Sequence, residues 1–416
     1  MGLNLSPYLQ VFRNRRIGVM VLMGFASGLP LALTAGTLQA WMAVDGVDLR
    51  TIGVFALVGM PYTLKFLWSP LMDRFVPPWL GRRRGWIVFT QMVLIMGIAA
   101  MGFSHPKAAP LVLAGLALLV SFSSASQDIV IDAYRTDVLH EEERGAGAAV
   151  FVTGYRIAML VSGALALILS DRIGWRATYV VMAAVMSTGV VSTLFGPEPE
   201  RKALPPKTIK EAVWGPLKDF VSRRRALMLL LLIVLYKLAD AYAGSLTTAF
   251  LIRGVGFSPT DVGTVNKAFG LVATIVGAML GGALMVKLGL FRSLLVFGIL
   301  QGVSNLAFMA LAWTGKSYGM LIFAVGFENF TSGMGTAAFI ALLMAMCNQR
   351  YTATQYALLS SLAALGRIFI APTSGYMVEA IGWPGFFFVT ALTAIPGLWM
   401  LWWLREEIEN LKAEAA

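Results

Sequence analysis

The sequence predicts an all-α membrane protein of twelve transmembrane helices in two pseudo-symmetric six-helix halves, and three observations carry that expectation. A chain of 416 residues that is 58% hydrophobic and 13% charged, with mean hydropathy +0.74, holds more apolar surface than a water-soluble core can hide. Spans of about 20 apolar residues recur from end to end, each long enough to cross roughly 30 Å of hydrocarbon as a helix. Short strings also return, in order, half a chain later. Gly46-Val47 and Ile52-Gly53 reappear as Gly254-Val255 and Val262-Gly263, and Ile173-Gly174-Trp175 as Ile381-Gly382-Trp383. Arg156-Ile157 with Ser162-Gly163 is echoed by Arg367-Ile368 with Ser374-Gly375. Two such copies facing one another across a central cavity are the architecture of alternating-access carriers.

Between charged or Pro/Gly-rich breaks, helices are expected near 17–43, 50–72, 85–103, 110–136, 144–169 and 174–196, then near 226–252, 260–286, 292–313, 317–346, 352–378 and 382–404. The stretch 197–225 opens Pro197-Glu198-Pro199, carries Pro205-Pro206 and ends Arg223-Arg224-Arg225. It reads as a cytoplasmic linker between an N-terminal half, 1–196, and a C-terminal half, 226–416, with Thr208 to Val221 able to lie on the membrane as an amphipathic helix.

Most of the 33 Lys and Arg residues fall in loops that become cytoplasmic when the N-terminus is inside, so both termini are expected in the cytoplasm. The net charge of +11 then reports topology and attraction to anionic membrane lipids, and no nucleic-acid partner is expected. The basic start Arg13, Arg15 and Arg16 leads into an apolar stretch that no small-x-small site closes before Trp41, which reads as a retained helix and not a cleaved leader. A single cysteine, Cys347, and two histidines, His105 and His140, leave no disulfide framework, and neither a metal nor a cofactor is expected.

The chemistry sits on charges inside apolar spans. Asp128 and Asp132 lie one turn apart on one face of the fourth helix, where carboxylates must meet water, a partner or a proton. Counted outward from a turn near Glu142, Asp128 and Arg156 stand at one depth, which predicts an Asp128 to Arg156 pair and leaves Asp132 without an obvious partner. The counterpart of this stretch in the second copy, 330–344, carries no acid. Lys65, Lys237, Asp240, Lys267, Glu328 and Arg367 are the other intrahelical charges; with Arg156, Asp128 and Asp132 they make five bases against four acids, slightly positive in sum, as suits an anionic substrate. Arg156 and Arg367 occupy equivalent places in the repeat. Tyr62, Trp68, Tyr155, Tyr236 and Tyr242 share these helices and can stack on sugar rings or peptide. Gly24, Gly28, Gly277, Gly281 and Gly333 allow close helix contact. An enzyme would need a nucleophile or acid/base pair, and His140 beside Glu141-Glu142-Glu143 reads better as a solvated loop. A channel fits poorly with the two-fold repeat and paired charges.

Ser69-Pro70-Leu71-Met72-Asp73-Arg74 followed by Gly81-Arg82-Arg83-Arg84 resembles the cytoplasmic signature loop of the major facilitator superfamily, lengthened by Val76-Pro77-Pro78-Trp79. Asp73 at a helix C-terminus opposes the dipole unless Arg compensates, so Asp73, Arg74, Arg82 and Arg83 are expected to form a latch that breaks as the halves rock.

Gly24-Phe25-Ala26-Ser27-Gly28-Leu29-Pro30-Leu31, Lys65-Phe66-Leu67-Trp68-Ser69-Pro70, Ser126-Gln127-Asp128 with Asp132, Glu143-Arg144-Gly145-Ala146-Gly147, Thr247-Thr248 with Phe250 to Phe257, and Phe327-Glu328-Asn329 together resemble the AmpG-type muropeptide permease family over essentially the whole chain. The resemblance implies a major facilitator fold in the bacterial inner membrane and no enzymatic activity. It also implies proton-driven import, from periplasm to cytoplasm, of N-acetylglucosaminyl-1,6-anhydro-N-acetylmuramyl units with or without stem peptide. That is a step of cell-wall peptidoglycan recycling, which in many bacteria sets the signal for β-lactamase induction. It places proton coupling on Asp128 and Asp132, and puts Lys65, Arg156, Lys237, Asp240 and Glu328 in matching segments. With Tyr62, Trp68, Tyr155 and Arg367 these are the candidate substrate-binding residues of a monomeric carrier. The alternative reading is a proton-coupled carrier for another bulky polar anion, such as an acyl-CoA.

Overall fold

The computed structural model describes residues 15–69, 72, 77–139, 144–197, 225–346 and 352–410. Helix fills nearly all of them, as expected of an all-α membrane protein, and among the described residues eight stretches are long and apolar enough to cross a membrane. Two of these, Val150–Phe195 at 46 residues and Ser361–Trp403 at 43 residues, are far longer than the roughly 20 that one crossing needs.

The first helices are α1 (Arg15–Thr34), α2 (Gly36–Val44), α3 (Leu49–Val54) and α4 (Met60–Leu64). Then come α5 (Arg82–Gly102), α6 (Pro110–Val138), α7 (Arg144–Met159) and α8 (Ala166–Phe195). The later ones are α9 (Ala226–Tyr236), α10 (Leu238–Ala249), α11 (Pro259–Asp261), α12 (Gly270–Thr314) and α13 (Tyr318–Ala345). Last stand α14 (Thr352–Leu392), α15 (Ala394–Trp403) and α16 (Arg405–Asn410). Pro110 and Pro259 start their helices where a missing N–H does no harm, and Ser258 with Asp261 forms a capping box.

The long helices break at glycines that take a positive φ closed to other side chains. Gly174 (80°, 162°) bends α8, and Gly382 (70°, 174°) bends α14. These are the central glycines of the two Ile-Gly-Trp strings, so the repeat read in the sequence is a repeat of backbone conformation.

By backbone proximity the chain forms two compact units, Met1–Asp45 with Val58–Pro205, and Gly46–Leu57 with Pro206–Ala416. The sequence reading put 46–57 with the N-terminal half; its side chains account for its grouping with the second unit. Arg50 pairs with Glu379 at 2.5 Å and lies over the Tyr376 ring, and Arg253 donates to the Val47 carbonyl. Asp48 caps α3 through the Thr51 amide at 2.8 Å, and hydrogen bonding to Thr51 holds its carboxyl below the usual range.

In the first unit α1 packs on α7 backbone to backbone. A Cβ on Gly24 would stand 2.0 Å from the Phe151 carbonyl oxygen, and one on Gly154 would stand 2.0 Å from that of Val21. Gly154→Ala is therefore expected to push the two helices apart and to lose about 1–3 kcal/mol of stability. Gly18→Ala, whose Cβ meets nothing within 4 Å, should be neutral. Thermal unfolding in detergent compares the two, and equal melting points would refute the close approach.

Large apolar side chains face outward over much of the surface. Leu111 is 86% exposed and Met279 72%, an arrangement that only a lipid surround stabilises. Trp399 stacks on Trp403, and with Trp402 they leave the end of α15 ringed by exposed indoles, as at a membrane interface.

Candidate functional site

Each unit carries a cluster of charges inside its helices. In the first, α6 brings Asp128 to α1, where Ser27 Oγ donates to Asp128 Oδ1 at 2.5 Å. Lys65 is the cation that acts on Asp128, and Asp132 is the neighbouring like charge. Lys65 stands where the second helix departs from α geometry: Phe55–Gly59 and Lys65–Leu67 are 3₁₀ turns on either side of α4, which begins with Pro61 in its first turn. Trp68 Nε1 donates to Ser126 Oγ at 3.0 Å, and its ring lies 4.7 Å from that of Phe122. The Tyr62 hydroxyl is enclosed near Asp128 and Tyr155 and makes no hydrogen bond of ordinary length among the described residues.

Two expectations from the sequence are corrected here. Arg156 is exposed and does not pair with Asp128, because α7 lies on α1 through Gly24, Gly28 and Gly154. Counting residues from a turn fixes depth but leaves the direction around the helix open. Asp132 does have a partner: Arg135 Nη2 stands 3.2 Å from its carboxylate, one turn along the same helix, and the Asp132 side chain is 52% exposed. The two carboxylates are thus unlike, one enclosed beside a lysine and the other at a surface beside an arginine.

The second unit holds Lys237, Asp240, Lys267 and Glu328. Helix breaks at Lys237, between α9 and α10, and its Nζ reaches Asp240 Oδ2 at 3.0 Å and Thr336 Oγ1 at 3.3 Å, over the Phe339 ring. Lys267 lies in a π-helical segment, Val262–Phe269, and donates to Thr248 Oγ1 at 3.2 Å. Glu328 on α13 accepts from Asn329 Nδ2 at 2.8 Å, and Lys267, Lys237 and Asp240 act on it electrostatically. Tyr236 donates to the Leu294 carbonyl at 2.9 Å, and the Tyr242 hydroxyl meets that of Thr373 at 2.9 Å. The Arg367 side chain lies outside the described residues. Ser27, Thr248 and Asn329 stand in the strings that carry the family resemblance, where the sequence gives them no role of their own. Their signal is a hydroxyl or amide within an otherwise apolar span beside an intrahelical charge.

Of the expected latch, Asp73, Arg74 and the side chain of Arg82 lie outside the described residues. Arg83 Nε pairs with Asp137 Oδ2 at 2.9 Å. An arginine at the start of α5 and an aspartate at the end of α6 each oppose a helix dipole, and each offsets the other. A double-mutant cycle on Arg83→Ala and Asp137→Ala, read by thermal unfolding, should give a coupling of at least about 1 kcal/mol. Strict additivity would show the contact to be incidental. Beside it, Arg84 donates to the carbonyls of Thr193 (3.0 Å) and Leu194 (2.9 Å), and Arg15 to that of Phe195 (2.8 Å), closing the C-terminus of α8.

Comparison with known proteins places these features in a lineage. The family model of the Major Facilitator Superfamily matches residues 20–354 and 238–416. The chain is 55% identical over 405 residues to the anhydromuropeptide permease of Escherichia coli (strain K12), covering 97% of this chain and 82% of that protein. It is 34% identical over 412 residues to the putative transporter AmpG 4 of Rickettsia felis, covering 96% and 99%. Among solved structures, that of the POT family transporter PepTSo aligns with a TM-score of 0.73 at 12% identity over 95% of this chain and 98% of that one. A bacterial homolog of the human lysosomal transporter Spinster aligns with a TM-score of 0.70 at 15% identity over 98% of both chains. At such identities these two speak for the fold alone.

Proposed function

The chain belongs to the AmpG-type muropeptide permease family of the major facilitator superfamily, and from that premise we propose that this multi-pass membrane transporter imports anhydro-muropeptides by proton symport. The substrate is GlcNAc-1,6-anhydro-MurNAc with or without stem peptide, taken from periplasm to cytoplasm for cell-wall recycling. The identity of 55% across 97% of the chain is the observation that carries the substrate class. The carrier works as a monomer in the inner membrane, with twelve crossings in two six-helix halves and with both termini and the 197–225 linker in the cytoplasm.

The first-unit cluster supports the proton coupling. An ionised Asp128 balances Lys65, and an apolar span favours that balance over a lone charge. When Asp128 takes a proton, the Lys65 ammonium is released to an oxygen of the substrate. Proton and substrate then bind together, and linkage makes each raise the affinity for the other. Tyr62, Trp68 and Tyr155 lie in this same unit and supply ring surfaces for sugar. Asp132, paired with Arg135 one turn along α6, holds the end of that helix.

Direct binding to the purified protein tests the substrate. Labelled GlcNAc-anhydro-MurNAc should bind and be displaced by its peptide-bearing form but not by an acyl-CoA; displacement by acyl-CoA alone would transfer the assignment to another bulky anion. Topology is tested by single cysteines at Gly2, Lys210 and Glu414 in a Cys347→Ala background. All three should resist an impermeant thiol reagent applied from the periplasmic side, and labelling of any one overturns the orientation.

A further inference from the structure

The two charge clusters share a pattern that the sequence repeat hides. The repeat does not align the two lysines, since Lys65 stands 12 residues after Gly53 and Lys267 four residues after Gly263, yet each lies in the helix that follows its Gly-Val string. Each lysine acts electrostatically on an acid of the next-but-one predicted helix, Lys65 on Asp128 of α6 and Lys267 on Glu328 of α13. The stretch 330–344 has no acid, but the same helix places Glu328 just before it. Each acid also holds a neutral hydrogen-bond donor: Ser27 on Asp128 at 2.5 Å, and Asn329 on Glu328 at 2.8 Å.

The two lysines of the second cluster are not equivalent. Lys237 is neutralised at 3.0 Å by Asp240 and is held further by Thr336 and the face of Phe339. Lys267 has a hydroxyl, Thr248 Oγ1 at 3.2 Å, as its hydrogen-bond partner among the described residues, and no carboxylate among them lies within ion-pair distance of it. Glu328 has one oxygen taken by Asn329, whose own amide is anchored by Thr274 at 3.1 Å and by the Val325 carbonyl at 3.0 Å. An ammonium with two donor hydrogens unspent, beside a restrained acid, is built to accept a second anion. The π-helical turn that carries Lys267 is a departure from α geometry of the kind that recurs at ligand sites.

We propose that Lys267 is an anion-receiving residue of the second unit, taking a carboxylate of the substrate in competition with Glu328. This rests on the muropeptide reading above. The carboxylate available on every form of that substrate is the lactyl group of the muramyl unit, or the stem peptide that replaces it. Lys237, by contrast, is a structural partner of Asp240.

The experiment measures binding of GlcNAc-anhydro-MurNAc and of its neutral carboxamide to the full chain in detergent. Wild type should prefer the acid. Lys267→Met should lower the acid-to-amide affinity ratio by about ten-fold, and Lys267→Arg should restore most of it. Glu328→Gln, which removes the competitor, should raise the ratio, and it keeps the idea testable should Lys267→Met not fold. A wild-type ratio in Lys267→Met, or in Glu328→Gln where that is the variant read, overturns the inference. Wild-type protein that binds neither compound overturns the transport reading instead.

Discussion

Asp128→Asn is expected to reduce proton-driven accumulation of substrate to the level of protein-free liposomes, while exchange down a gradient stays within about three-fold of wild type. The asparagine keeps the size of the side chain and a hydrogen-bond partner for Ser27, which stands 2.5 Å from Asp128. It cannot ionise, so it mimics the protonated carboxyl permanently. Lys65 is then always open to the substrate, and the carrier still binds and exchanges, but no proton travels with the cargo. Asp132→Asn should accumulate substrate to within about three-fold of wild type, because the Asp132 side chain is 52% exposed and already balanced by Arg135 at 3.2 Å. Counterflow in proteoliposomes without a pH gradient, set beside uptake with one, separates the two functions. An Asp128→Asn protein that still concentrates substrate against its gradient would remove this residue from the coupling.

The second large effect concerns Lys237 and Asp240. Their side chains are 18% and 21% exposed and their charged atoms 3.0 Å apart, within a span that is otherwise apolar. Removing one partner leaves the other uncompensated, so Lys237→Met should destabilise the protein by about 3–5 kcal/mol and abolish its monodisperse elution in detergent. The double variant Lys237→Met with Asp240→Leu removes both charges and should recover most of the wild-type stability, since apolar side chains of similar volume replace a pair that had to be desolvated. Thermal unfolding of the three proteins gives the result. Equal stability of the single variant and wild type would show that the pair contributes nothing, and would return Lys237 to the list of residues available to substrate.

The fold was legible because lipid imposes a coarse rule. A crossing helix must be apolar for about 20 residues, and a bend between two crossings must be made by something able to turn. Gly174 and Gly382 were visible as the centres of two identical tripeptides, and each is the point where a long helix turns. The site was legible in its residue types but not in its partners. Asp128, Lys65, Lys237, Asp240 and Glu328 announce themselves as charges in apolar spans. Which of them meet depends on the azimuth of each helix, set by backbone contacts such as Gly24 against Phe151 and by local unwinding at Lys65, Lys237 and Lys267. Periodicity carries no record of a 3₁₀ or π turn, so Arg156 was assigned to an acid it does not touch. Residues 46–57 group with the second unit through contacts that no sequence pattern announces, Arg50 with Glu379 at 2.5 Å among them.

The central claim is that a proton gradient drives this chain to concentrate an anhydro-muropeptide, and one measurement addresses it without any variant. Purified protein in proteoliposomes is given labelled GlcNAc-anhydro-MurNAc under an imposed inward proton gradient. The account predicts an internal concentration above the external one that collapses when a protonophore is added. Equilibration to the external concentration, indifferent to the protonophore, would contradict it.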